Sequence, residues 1–287
     1  MRLAGFEIDE IVSRALAEDL GAGDPTTDAL VPKGLQGRAV VVAGAAGVLA
    51  GIEVARAVWR HIDPELGFRP LLTDGSTLNG AAGSESDVIA ELEGAVSSIL
   101  LGERTALNFL QHMSGVATLT SRYVTAVAGF DATILDTRKT VPGLRALDKY
   151  AVHAGGGKNH RRNLGDGVLI KDNHIAAMGG AGLSLGEIVE KARAAAGHTL
   201  KIEVEVEDLE QVRQALDAGA DILLLDNMSV EQMVDAARLA RGRALTEASG
   251  GITLRNVGAV AATGVDLISV GALTHSAGAL DISLDLA

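Results

Sequence analysis

Residues 201–226 read KIEVEVEDLEQVRQALDAGADILLLD. Lys201–Val206 alternates with period two, Leu209–Ala218 repeats its apolar residues with helical period, and Ile222–Asp226 is a short apolar run closed by a polar residue. A strand, a helix and a second strand in that order form a βα unit with parallel strands. The pattern extends on both sides. It predicts strands at Thr133–Asp136, Val168–Lys171, Leu245–Ala248 and Leu267–Val270. It predicts helices at Leu185–Ala196, Val230–Ala240 and Leu254–Ala262. The crossovers are short and no low-complexity linker interrupts them, so the expected fold class is α/β with a complete or partial (β/α) barrel, an open parallel sheet being the alternative. Upstream, the first 130 residues are mixed. Helices are expected at Glu7–Leu20 and Ile52–Ile62, two strands within Gly37–Ile52, and further strands at Phe68–Leu72 and Asp87–Leu92. Turns are expected at Asp74-Gly75 and around Gly83. Gly102–Ala128 has helical period and is expected to break near Ser114-Gly115.

Composition narrows the function. The 287 residues carry a formal net charge of −12, which disfavours nucleic acid and anionic membrane as partners. Four Phe, two Tyr and one Trp leave little for base stacking and require an aliphatic core. Zero cysteines exclude disulfides, thiolate metal sites and a cysteine nucleophile, and make the cytoplasm the expected compartment. No apolar run is long enough to span a membrane. GxxxxGK[ST], HExxH and a strand-borne GxGxxG are all missing from the sequence. His61, His112, His198 and His275 lack metal-ligand spacing and are expected to be structural or solvated.

In a parallel barrel, functional groups collect at the C-terminal ends of the strands. Here those ends offer Asp136, Thr137, Arg138 and Lys139; Lys171, Asp172, Asn173 and His174; Asp226 and Asn227; and Glu247 with Ser249-Gly250-Gly251. Glu203 and Glu205 alternate with Ile202, Val204 and Val206, so both are expected on the inner face. Buried carboxylates need cations, a metal or hydroxyl donors. The window Asp136–His174 supplies cations: eight Lys and Arg against four acids, a local +4. A basic patch in an acidic chain suits a small multiply anionic ligand, and arginine forks suit its carboxylates or phosphates. Arg145 and Lys149 are expected on a solvated helix face. The turns Ser249-Gly250-Gly251 and Gly271-Ala272 each precede an expected helix start and present backbone N–H groups to a phosphate. The reading is a barrel mouth for a phosphorylated sugar and an anionic co-substrate.

These stretches carry a resemblance. Glu103-Arg104-Thr105-Ala106-Leu107-Asn108, Asp136-Thr137-Arg138-Lys139-Thr140 with Pro142-Gly143, Asn159-His160-Arg161, Leu169-Ile170-Lys171-Asp172-Asn173-His174, Glu203-Val204-Glu205-Val206, Leu225-Asp226-Asn227, Glu247-Ala248-Ser249-Gly250-Gly251 and Val270-Gly271-Ala272-Leu273-Thr274 follow one another along the chain. Together they resemble the quinolinate phosphoribosyltransferases, or carboxylating nicotinate-nucleotide pyrophosphorylases. The resemblance implies an N-terminal α/β sandwich (residues 1–113, with the tail 274–287 returning to it) and an incomplete (β/α) barrel with the active site (residues 114–273). It implies quinolinate and 5-phosphoribosyl 1-pyrophosphate as substrates, with Mg²⁺, no prosthetic group, and nicotinate mononucleotide, pyrophosphate and CO₂ as products of this step in NAD biosynthesis. It also implies a homodimer or dimer-based oligomer in which Arg104 reaches the neighbouring subunit's site.

Roles transfer position by position. By the resemblance, Arg104, Arg138, His160 and Arg161 hold the quinolinate carboxylates, with Lys171 and His174 in the same pocket. Lys139 and Lys171 sit between the substrates. Glu203 and Asp226 hold the ribose hydroxyls, stabilise the cationic sugar carbon and are the groups available to Mg²⁺ beside the substrate. Glu247 assists at ribose, and Ser249, Gly250, Gly251, Gly271 and Ala272 cradle the 5-phosphate. The catalytic set is thus Lys139, Lys171, Glu203 and Asp226. Three alternatives stand beside this one: a same-fold phosphoribosyltransferase with another acceptor, a non-catalytic anion-binding barrel, and a Schiff-base aldolase using Lys139 or Lys171.

Overall fold

The computed structural model describes residues 3–80 and 87–286; the turn expected around Gly83 lies outside them. The chain divides into two compact units. The first comprises Met1–Ser121, Thr140–Gly156 and Leu273–Ala287, the second Arg122–Lys139 and Gly157–Ala272. Residues 114–121 and 140–156, expected with the barrel, therefore belong to the first unit.

The first unit is built on an antiparallel sheet of four strands, β1 (Gln36–Ala43), β3 (Gly67–Pro70), β5 (Val88–Ala95) and β12 (Ile282–Leu286), in the order β12-β1-β5-β3. The C-terminal β12 pairs with β1 from Ala39↔Leu286 to Ala43↔Ile282. Strands β2 (Ala46–Val48) and β4 (Thr77–Asn79) form a separate ribbon. Helix α3 (Ile52–Ile62) has a strong apolar face, and its first turn is capped by Asp74, whose Oδ1 accepts the N–H groups of Gly51 and Ile52 at 2.9 and 3.1 Å. Tyr150 donates to the other Asp74 oxygen at 2.7 Å. The buried Trp59 of α3 donates its indole N–H to Ile99 O at 3.1 Å.

Two expectations fail in this unit. Helix α4 runs unbroken from Val96 to Ala126, through Ser114-Gly115. Those small residues serve packing. Ser114 Oγ accepts the N–H of Ala50 at 3.0 Å, and a Cβ on Gly115 would lie 2.1 Å from the carbonyl oxygen of Gly278. Gly115→Ala should therefore destabilise the protein by about 1–3 kcal/mol, the range for overpacking a closed core, seen as a lowered thermal midpoint. Lys149, expected in solvent, is fully buried on α5 (Arg145–Ala154), and Arg145 is half-buried with its Nε donating to Thr140 Oγ1. Its neighbour Asp148 is equally buried, takes His112 Nε2 at 2.7 Å and accepts the N–H of Val141 at 3.0 Å. His112 is thus a structural histidine, as expected.

The second unit is a six-stranded parallel sheet of β6 (Thr133–Leu135), β7 (Val168–Ile170), β8 (Ile202–Val206), β9 (Ile222–Asp226), β10 (Leu245–Ser249) and β11 (Leu267–Ser269). Its order is β6-β11-β10-β9-β8-β7, with no pairing between β6 and β7, as in an incomplete barrel. Lys158 adds one parallel bridge at the β6 edge. Strands and crossovers fall where the period analysis put them, because the two periods are local properties. Helices α7 (Leu185–Ala195), α8 (Leu209–Asp217) and α9 (Val230–Ala240) each begin at a capping side chain: Ser184, Asp208 and Ser229. The expected helix at Leu254–Ala262 is shorter, α10 (Val257–Ala261), because Thr253 and Asn256 first close a turn.

Candidate active site

Strand register defines one shared inner face. In-register partners in a parallel sheet point the same way. The pairs Leu169↔Glu203, Glu203↔Ile222, Glu205↔Leu224, Leu224↔Glu247, Asp226↔Ser249 and Ser269↔Leu135 put Glu203, Glu205, Asp226, Glu247, Ser249 and Ser269 on that face. All five residues of β8 are buried, so both glutamates face the interior as the alternation predicts.

The two glutamates differ in depth. Glu205 stands near the C-terminal end of β8, and its Oε2 accepts Lys171 Nζ at 2.7 Å. Glu203, two residues deeper, takes His160 Nε2 at 3.2 Å and has no contact with Lys171. His160 also lies 3.6 Å from Glu247 Oε1. Glu203, Glu247 and His160 line a cavity of about 370 Å³ that reaches the first residues of β7, β9, β10 and β11: Val168, Ile222, Leu245 and Leu267. This cavity lies toward the strand starts, the end opposite the expected mouth, and Arg161 lines it as well. Burial, and next the charge of Glu203, push the Glu247 carboxyl up to about 7.

The basic residues are held by the loops after β6 and β7. Asp136, fully buried, accepts Asn159 Nδ2 at 2.6 Å and the His160 N–H at 2.8 Å, which fixes the 159–161 segment on the end of β6. Arg161, half-buried, donates to Gly167 O at 3.1 Å. Burial, and then the guanidinium of Arg138, lower its proton affinity, with the charges of Glu203 and Asp166 opposing. Lys139 is exposed. His174, exposed on α6 (Asp172–Gly180), accepts the Lys171 N–H on Nδ1 at 2.9 Å and so caps the helix that follows Lys171. Arg104 is exposed on α4 in the first unit.

The two glycine turns are unlike. Gly250 and Gly251 both take left-handed φ, 89° and 62°, as does Asn227 at 53°. Asn227 donates its backbone N–H to Ser249 O at 3.0 Å, and Asn256 Nδ2 ties Gly251 O at 3.0 Å. Successive N–H groups in such a turn form an anion-binding nest. Gly271 has no left-handed φ, and Ala272 opens α11, Ala272–His275, of four residues. Gly271-Ala272 leads directly into a helix start, as expected, whereas after Gly251 the helix start is delayed: α10 begins six residues beyond Gly251 and has five residues. Backbone N–H groups, rather than a long helix dipole, are the groups these turns offer.

Asp226, half-buried at the end of β9, accepts Asn227 Nδ2 at 2.8 Å and shares the inner face with Glu205 on the adjacent strand. Period two could assign both glutamates to one face but could not say which reaches the mouth. The sequence signal for Glu205 was its spacing from Lys171 and Asp226, readable only once strand register is known.

Comparison with known proteins gives the family. The C-terminal domain model of quinolinate phosphoribosyl transferase matches residues 116–285, and the N-terminal domain model matches residues 24–114. The chain is 46% identical to the nicotinate-nucleotide pyrophosphorylase [carboxylating] of Mycobacterium leprae, over 96% of each chain. It is 43% identical to a probable nicotinate-nucleotide pyrophosphorylase [carboxylating] of Bacillus subtilis, over 98% of this chain and 94% of the relative. The crystal structure of NadC from Streptococcus pyogenes superposes with a TM-score of 0.93 at 42% identity, covering 100% of this chain and 99% of that one. With both domain models matched and near-complete coverage of its relatives, the chain belongs to the quinolinate phosphoribosyltransferase family.

Proposed function

We infer that this protein transfers the phosphoribosyl group of 5-phosphoribosyl 1-pyrophosphate to the ring nitrogen of quinolinate, with loss of CO₂, as the nicotinate mononucleotide-forming step of NAD biosynthesis. The observation that carries the acceptor is the pair Arg138 and Arg161, two half-buried guanidiniums close enough to depress the proton affinity of Arg161. Like charges held together in a barrel interior suit a ligand with two carboxylates, each able to take a bidentate fork. A monocarboxylate acceptor would satisfy one.

The chemistry needs no protein nucleophile. The quinolinate nitrogen attacks the anomeric carbon as the carbon–oxygen bond to pyrophosphate breaks, and pyrophosphate leaves with the electron pair. The sugar carbon is cationic at the transition state, so fixed carboxylates stabilise it. We assign this role to Glu205 and Asp226, which share the inner face at the strand ends; Glu203 is engaged deeper with His160. Lys139 and Lys171 offset the charges of two anionic substrates. The nest at Ser249, Gly250 and Gly251, with Gly271 and Ala272, takes the 5-phosphate. The carboxylate oxygens of Glu205 and Asp226 also fit a hard, oxygen-preferring cation that keeps most of its ligands on phosphate and water, as Mg²⁺ does. When bound with the substrate, Mg²⁺ neutralises charge on the leaving pyrophosphate. The new pyridinium then accepts the electron pair from the breaking carbon–carboxylate bond, CO₂ leaves, and a proton from water or Lys171 completes nicotinate mononucleotide.

The exposed position of Arg104 on α4 suits a contribution to a neighbouring subunit in a dimer or larger assembly. A cysteine-free chain suits the cytoplasm, and among the described residues no helix is long and apolar enough to cross a membrane.

The test is turnover with quinolinate, 5-phosphoribosyl 1-pyrophosphate and Mg²⁺, following CO₂ and nucleotide, with nicotinate as rival acceptor. Quinolinate-dependent release of CO₂ and nicotinate mononucleotide is expected. Turnover with nicotinate alone, or with neither, overturns the assignment.

A further inference from the structure

The segment that carries His160 and Arg161 hangs on one buried carboxylate. Lys158 first bridges to β6: its N–H donates to Ile134 O at 2.9 Å, and its carbonyl accepts the N–H of Asp136 at 3.2 Å. The next two residues are taken by the fully buried Asp136 side chain, whose Oδ2 accepts the Asn159 amide at 2.6 Å and whose Oδ1 accepts the His160 N–H at 2.8 Å. Past this clamp the His160 ring lies 3.2 Å from Glu203, and Arg161 donates to Gly167 O at 3.1 Å. Asp166 holds the far end, accepting the N–H of Arg162 at 2.7 Å. Asp136 also precedes Arg138 by two residues on the loop that leaves β6. One side chain therefore joins the two segments that bear Arg138 and Arg161. Both guanidiniums are half-buried, and the charge of Arg138 acts against that of Arg161. Loops bearing like charges move apart unless their backbones are tied. Charge-assisted bonds to a buried carboxylate are such a tie.

We propose that Asp136 and Asn159 are a positioning pair that fixes the spacing of Arg138 and Arg161, and with it the preference for an acceptor bearing two carboxylates. Neither side chain is given a contact with substrate; both act through the arginines. The proposal rests on the acceptor chemistry proposed above. Two forks at one fixed separation match two carboxylates at one fixed separation, so a looser clamp weakens the dicarboxylate more than a monocarboxylate. The pair is also directional. A carboxylate only accepts and an amide nitrogen only donates, so the bond survives if the two groups change places. Asp136→Asn leaves one acceptor oxygen for two donors. Asn159→Asp sets a second carboxylate against the first. The double variant Asp136→Asn/Asn159→Asp exchanges donor and acceptor, keeps one negative charge and restores the bond.

Each single variant is expected to raise KM for quinolinate about tenfold, the loss of one hydrogen bond to a charged group, while KM for 5-phosphoribosyl 1-pyrophosphate stays within about twofold. The ratio of kcat/KM for quinolinate to that for nicotinate should fall in parallel. The double variant should recover most of both. A merely structural role would reduce the active fraction, so kcat would drop while KM and the acceptor ratio stayed put. Asn159→Ala, at a half-buried position, serves if a single variant does not fold. A second arm needs no acceptor: amide exchange of residues 158–161 in the ligand-free enzyme should quicken in the single variants and slow again in the double. Unchanged quinolinate KM and acceptor ratio in a variant whose exchange has quickened overturns the proposal, as does a double variant no better than the singles. Absence of turnover by wild type instead overturns the function above and the acceptor preference with it, and amide exchange then decides the clamp alone.

Discussion

Lys171→Ala should lower kcat/KM for quinolinate by about 10²–10³, the loss typical when one preorganised charge at a reacting centre is removed. Lys171 Nζ lies 2.7 Å from Glu205 Oε2, and that carboxylate is 8% exposed while the lysine side chain is 46% exposed. Removing the cation leaves a buried carboxylate with only the distant Asp172 N–H, 3.5 Å away. The anionic substrates would then meet an uncompensated negative charge where they now meet a pair. Because Glu205 is buried, the unpaired carboxylate should also lower the thermal midpoint, so the rates are compared at a temperature well below it. Lys171→Arg should recover part of the rate. CO₂ and nucleotide should still form in equal amounts in Lys171→Ala, since the pyridinium itself accepts the electron pair. Accumulation of the undecarboxylated nucleotide would assign Lys171 a specific part in decarboxylation and overturn that view. Steady-state kinetics with both products quantified decides between them.

Gly250→Ala should raise KM for 5-phosphoribosyl 1-pyrophosphate by about 10- to 100-fold, corresponding to the ~1.5–3 kcal/mol of a hydrogen bond to a charged group. Gly250 sits at φ 89°, and a Cβ there would lie 2.2 Å from Asn227 Oδ1 and 3.0 Å from the Asn227 backbone nitrogen. Relief requires Asn227 to move, and Asn227 itself holds a left-handed φ of 53° next to Asp226. The nest, the Asn227–Ser249 bond and the Asp226 carboxylate are thus coupled through one missing side chain. Gly251→Ala is the control: its φ of 62° is also left-handed, yet nothing lies within 4 Å of its would-be Cβ. It carries backbone strain without the collision and should show the smaller effect. KM for quinolinate should change little in either variant, since its candidate ligands lie in the loops after β6 and β7 and, for Arg104, on α4. Varying each substrate at saturation of the other separates the two.

The chain's local patterns by themselves determined the parallel βα series, and the ordered motifs determined its family. Strand and helix periods are properties of five to eleven neighbouring residues, so Ile222–Asp226 and Val230–Ala240 lie where the pattern puts them. Capping residues such as Ser184 and Ser229 are local in the same way. Depth within the barrel is not local. Alternation assigns Glu203 and Glu205 to one face, but only pairing with β7 and β9 sets which meets Lys171 and which meets His160. The burial of Lys149 follows from the packing of α5 in the first unit, and Gly115 serves packing inside the unbroken α4, because Gly278 O occupies the space its side chain would take. Glu247, expected at ribose, is buried beside His160 because Leu224 and Leu267 fix its level in the sheet. Burial, charge balance and proton affinity sum over residues far apart in the chain, so only the tertiary structure could decide them.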